Sequence, residues 1–219
     1  MDSSERHCVL KPFLLIVVPL ILCTLEIWHP VGFKSDVYHN LHSQMDWWYW
    51  LHLLQLPLFG LVGAGGILLT WGKTGYLARL SVIGFWFFMV FYTAFDAING
   101  ISVGAIMRDA SGYTPSEQET VAKAIQNLYN HPFVGGSHSV VSEVASLGWV
   151  LGMLPMIILL AKDRIPYIIL LLYLISTISL WWSHAYPFGP IAFFCFALGS
   201  FFLLRWERSN PAQNEKVSP

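Results

Sequence analysis

VVSEVASLGWVLGMLPMIILLA, residues 140–161, is the stretch whose reading decides the fold. Between Val140 and Ala161 the only charge is Glu143. A helix needs about 20 mostly apolar residues to cross the hydrocarbon core of a bilayer, and this run is long enough. It lacks the period-two alternation of a barrel strand, so helix is the only spanning structure that fits. Five further runs have the same character: Pro12–Trp28, Trp47–Trp71, Leu77 to about Ala105, Ile165–Trp182 and Phe188–Trp206. The sequence therefore predicts an all-α polytopic transmembrane bundle of six spans. It forms a single domain over residues 1–206, and residues 207–219 are read as a disordered cytoplasmic tail.

Composition agrees. Charged residues are 11% of the chain, against about 25% in a soluble domain, and hydrophobic residues are 55%. That imbalance places the chain in the membrane class. A net charge of −1, without basic and aromatic stripes, gives no footing for nucleic acid. The three cysteines, Cys8, Cys23 and Cys195, show no CxxC spacing and read as small hydrophobes. The first run has a basic start but no small-residue cleavage site after it, so it reads as a retained helix.

Basic residues set the expected orientation. Nine lie on one side of the six-span arrangement, including Lys11, Lys73, Arg79, Lys162, Arg164, Arg205 and Arg208. Only Lys34, Arg108 and Lys123 lie on the other. The positive-inside rule then puts both termini in the cytoplasm of a cell membrane. Gly100/Gly104 and Gly148/Gly152 have the spacing that lets spans approach closely. In the outer loop 106–136, Thr114-Pro115-Ser116-Glu117 is a capping box. The helical spacing of Val121, Ile125 and Leu128 then predicts a short amphipathic helix on the outer surface, placed to cover a pocket or seal the bundle top.

The same topology sorts the histidines. Seven of eight fall on the outer side or in the outer ends of spans, and His7 is the exception. Glu26, Asp96 and Glu143 lie within spans, where an ionised acid costs on the order of 2.5–3.5 kcal/mol and so faces a partner. Asn99 shares a helix face with Asp96, and Gln55 with His52. His52, Asp96 and Glu143, with His138 or His184, come from different spans at similar depth and form a predicted outward-facing pocket. Asp96, Glu143 and His52 are the candidate catalytic residues.

A second stripe is local. His39, His42 and Asp46 fall at i, i+3 and i+7, within about 60° of arc if residues 36–47 are helical. Imidazoles and a carboxylate are ligands for zinc or another divalent metal, so His39, His42, Asp46, His52, His138 and His184 are the candidate metal ligands. Membrane hydrolases of the alkaline ceramidase type hold zinc with histidines and an aspartate inside a helical bundle. This chain lacks their seventh span and their serine and histidine motif, so none of their residues is carried over. Walker A, GxSxG and HExxH are absent. Two classes remain. One is a metal-binding or metal-dependent membrane enzyme, taking a lipid or small-molecule ligand on its outer side. The other is a small proton-linked transporter or a non-catalytic accessory subunit.

Overall fold

The structure is a computed structural model and describes residues 10–31 and 35–210. His7, Cys8, Lys34 and tail residues 211–219 lie outside the described residues. Among the described residues all regular structure is helical. In chain order the helices are α1 (Leu10–Ile27), α2 (Val37–Leu41), α3 (Met45–Leu69), α4 (Tyr76–Ala110), α5 (Pro115–Tyr129), α6 (Val140–Lys162), α7 (Tyr167–Trp182) and α8 (Phe188–Ser209).

Five segments are long and apolar enough to cross a membrane: α1, the continuous stretch Val37–Leu69, α4, α6 and α8. That fits an integral, multi-pass membrane protein. The sixth predicted run, α7, is apolar but only 16 residues long, about 24 Å at 1.5 Å per residue. The two ends of the bundle are chemically distinct. Lys11 pairs with Glu207 at 2.6 Å, tying the start of α1 to the last turn of α8. Lys73 pairs with Asp163, tying the α3–α4 turn to the α6–α7 turn. The last helix thus continues through Glu207 to Ser209, a little beyond the predicted tail boundary.

Apolar and aromatic side chains from six of the helices fill the main core, around Phe59, Phe85, Phe88, Trp149, Phe193 and Phe196. Helices α4 and α6 make the most extensive pairing. A Cβ on Gly84 would overlap the backbone of Gly152, and one on Gly148 would lie 2.5 Å from Phe88 N. The predicted Gly148/Gly152 pair is therefore where α6 crosses α4. Ser81 Oγ donates to Gly152 O at 2.6 Å across the same contact.

The 35-residue α4 measures roughly 52 Å, well over the 30 Å or so of a hydrocarbon core. Its C-terminal turns carry a second, smaller core in which Val103, Met107 and Ala110 meet Val37, Leu41, Trp48, Ala122 and Ile125. Helix α5 forms as its capping box predicts: the Glu117 carboxylate accepts from Thr114 N at 2.9 Å and Thr114 Oγ1 at 2.7 Å. It packs its buried Ala122 and Ile125 into this small core, and Val37 N donates to Gln126 Oε1 at 3.0 Å.

Candidate functional site

Glu26 closes α1, and His29 follows three residues later on the same face, just past the helix end. Helix α3 adds Trp48, His52 and Gln55, three or four residues apart and all buried. Helix α4 adds Tyr92, Asp96 and Asn99. The turn between α7 and α8 adds His184. These four segments converge at the end of the bundle opposite the Lys11–Glu207 pair. The His29 ring lies 5.2 Å from each of the His52 and His184 rings, centroid to centroid. His52 Nε2 faces Asp96 Oδ1 at 3.9 Å. Gln55 Nε2 donates to Glu26 Oε1 at 2.8 Å.

Local backbone makes this convergence. Residues Asp96–Ser102 form a π-helical turn, a feature that recurs at functional sites. The turn presents Gly100 to α3, and Trp48 Nε1 donates to Gly100 O at 3.1 Å. A Cβ on Gly100 would overlap the His52 ring, with even His52 Cβ 2.5 Å away. Asn99 holds the segment after α5. It donates to Val134 O at 2.7 Å and accepts from Gly136 N at 3.1 Å.

Hydrogen-bond accounting gives the site its character. A carbonyl only accepts, so His29 Nδ1–H donates to Pro30 O and His52 Nδ1–H to Trp48 O, each at 2.7 Å. Both neutral rings therefore keep a bare lone pair on Nε2. Nine buried side-chain N or O atoms among the described residues have no hydrogen-bond partner. Six of them are here: Glu26 Oε2, His29 Nε2, Gln55 Oε1, Tyr92 Oη and both oxygens of Asp96. All but the Tyr92 hydroxyl are acceptors when the carboxyls are ionised. Among the described residues no Lys or Arg pairs with Glu26 or Asp96, which are 0% and 1% exposed. Buried polar groups are normally satisfied, and an unpaired buried ion costs several kcal/mol. Each carboxyl here needs a proton or a cationic partner.

Outside the spans, burial pushes His29 down to about 4, only partly offset by its bond to Pro30. Burial, then His29 and His52, hold His184 well below the usual imidazole range. Beside the cluster is a cavity of about 270 Å³ bounded by His29, Trp48, His52, Phe95, Tyr129 and His184. On the side toward the basic end, Tyr92 packs on Phe59 at 4.0 Å and Phe88 on Trp149 at 4.9 Å, between ring centroids. These aromatics fill the bundle on that side of the cavity.

The predicted residues part company here. His52 and Asp96 join the cluster buried, and His184 joins it half-buried. Glu143 and His138 are exposed, 3.5 Å apart, on a neighbouring groove. The His39–His42–Asp46 stripe is not formed, because the helix breaks. Asp36 is left-handed at φ 56, and His42–Gln44 is a 3₁₀ turn between α2 and α3. His39 Nδ1 instead meets Asp36 at 2.6 Å, Asp46 meets Arg108 at 2.9 Å, and His42 lies exposed against Tyr38. Among the described residues, no three of His, Cys, Asp or Glu are arranged to hold one metal ion. The members absent from the predicted site are Glu26 and His29. Glu26-Ile27-Trp28-His29 is an i, i+3 acid–histidine pair, the signal in the sequence that marks them. No protein-family model matches the chain, and no curated protein or solved structure is similar to it.

Proposed function

We propose that this chain is an integral membrane protein with an acid–base pocket, in which buried carboxyls share protons with histidines that face a bound ligand. The observation that carries the reading is the acceptor excess: Glu26, Asp96, Gln55 and His29 hold buried acceptor atoms without donors, His52 Nε2 faces Asp96 Oδ1 at 3.9 Å, and one hydroxyl, Tyr92, lies among them. Two protons on the carboxyls would complement the two bare Nε2 atoms. His52 connects Asp96 to the cavity, so a proton moves between them by a change of under about 1 Å in their separation. The aromatic packing of Phe59, Phe88, Tyr92 and Trp149 on the basic side favours a binding or catalytic pocket over passage across the membrane. The basic bias of one end, where Lys11 meets Glu207, supports six spans with both termini in the cytoplasm and the pocket facing outward from a cell membrane.

Dicyclohexylcarbodiimide, which reacts with protonated carboxyls in apolar surroundings, tests the reading. It should modify Asp96 and Glu26 at neutral pH in detergent-purified protein freed of bound ligand, and Asp96→Asn should lose one adduct. Unreactive carboxyls would overturn it. A second reading, a divalent ion, draws on the two Nδ1–H bonds to backbone carbonyls, since metal-bound histidines donate in this way. Carboxyls that react only after chelation, and are protected again by zinc, would establish that reading instead.

A further inference from the structure

A second cavity, about 560 Å³, lies on the flank of the bundle where α6 begins, α7 ends and α8 starts. Ser137, Ser183, His184 and Tyr186 line both this groove and the histidine cavity, so His184 stands at their shared wall. The groove exists because α7 is short. Its 16 residues reach about 24 Å, whereas the 23 of α6 reach roughly 34 Å. The step between them leaves a notch on the flank of the bundle. Trp181 and Trp182 border it, 46% and 71% exposed, with Phe188 beside them. Exposed tryptophans at a helix end belong at the headgroup level of a bilayer.

Charge narrows the occupant. Neither cavity is lined by Lys or Arg among the described residues, while Glu143 lines the groove and Glu26 and Asp96 lie behind the histidines. A phosphate or carboxylate head finds no cation there. An amine head finds acceptors throughout.

We propose that the ligand is a long-chain amine that enters sideways from the bilayer. Its tail lies in the groove between α6 and α7, and its ammonium passes His184 into the histidine cavity. This rests on the acid–base reading of that cavity, and it adds the substrate class and the route. Trp181, Trp182 and Phe188 give the larger groove an apolar wall for a chain, and the smaller cavity beside the acceptor cluster receives the head.

The test uses the full chain in phosphatidylcholine nanodiscs and dodecylamine carrying a diazirine near the end of its tail. Photolysis should place adducts on Ser146, Trp181 or Trp182. Unlabelled dodecylamine should compete, and dodecyl phosphate should not. Ser146→Trp, which fills the groove, should cut capture at least about tenfold, yet propylamine should still protect Asp96 from carbodiimide in that variant. Adducts at Val31 or Tyr129, or undiminished capture by Ser146→Trp, would overturn the lateral route. Equal competition by dodecyl phosphate would overturn the amine head. If the carboxyls do not react with carbodiimide in unmodified protein, the acid–base reading fails, separately from the route. Trp182→Ala, which widens the groove without adding bulk, should keep or raise capture. A loss there as severe as in Ser146→Trp would also count against the groove.

Discussion

Replacing Asp96 with Asn should make the protein more stable while removing its function. Both Asp96 oxygens are buried without a donor among the described residues. Leaving such a group unsatisfied costs about 1–3 kcal/mol, and more if it is charged. An amide of the same shape needs neither proton nor cation. Its N–H points at His52 Nε2, now 3.9 Å from Oδ1, and a closure of about 0.9 Å makes a hydrogen bond worth about 1 kcal/mol. The two contributions together give roughly 2–4 kcal/mol. At about 2–4 °C per kcal/mol for a chain of this size, ligand-free protein in detergent should gain about 4–16 °C in Tm. Asp96→Asn should also abolish ligand binding, the trade of stability against activity that strained sites show. Thermal unfolding followed by tryptophan fluorescence reads the first effect directly. A fall of several degrees would refute the reasoning, because it would mean that the carboxylate already has the contacts it needs.

Three further outcomes follow from the same geometry. Gly100→Ala should cost about 1–3 kcal/mol by forcing the His52 ring out, whereas Gly60→Ala, with nothing within 4 Å of its Cβ, should be neutral or gain up to about 1 kcal/mol; paired Tm measurements compare them. His29 refuses a proton down to about pH 4 in the folded state, while the unfolded imidazole accepts one below about 6.5. Stability should therefore be level above pH 6.5 and fall by about 3 kcal/mol toward pH 4, and His29→Gln should flatten that slope in a pH series of melts. Asn99→Ala removes the bonds to Val134 and Gly136, so hydrogen exchange across residues 131–139 should quicken and carbodiimide should reach Asp96 faster.

The spans were legible because burial in lipid leaves little freedom: the apolar runs at 12–28, 140–161 and 188–206 match α1, α6 and α8 to within a few residues. Helix α5 was legible from its capping box. What failed was extrapolating one helix through residues 36–47. The left-handed Asp36 and the 3₁₀ turn at His42 depend on tertiary contacts, Tyr38 and Leu41 being buried in the small core, and period alone does not carry those. Glu143 was expected to face the pocket and is exposed instead. It lies on the outer flank of α6, while Ala145 and Trp149 take the core. His29 was counted only as an outer-side histidine beyond α1, because nothing local shows that Pro30 O would turn the ring inward. The π-turn at Asp96 has no sequence signal that we can name, though Gly100 within it marks the close approach.

The central claim is that the acceptor cluster around Glu26, Asp96, His29 and His52 receives a group bearing positive charge or hydrogen-bond donors. Native mass spectrometry of protein released from its own membranes measures this most directly. The account predicts one retained amine-bearing ligand per chain, absent from the Glu26→Gln/Asp96→Asn double variant. The same adducts on both proteins would contradict it.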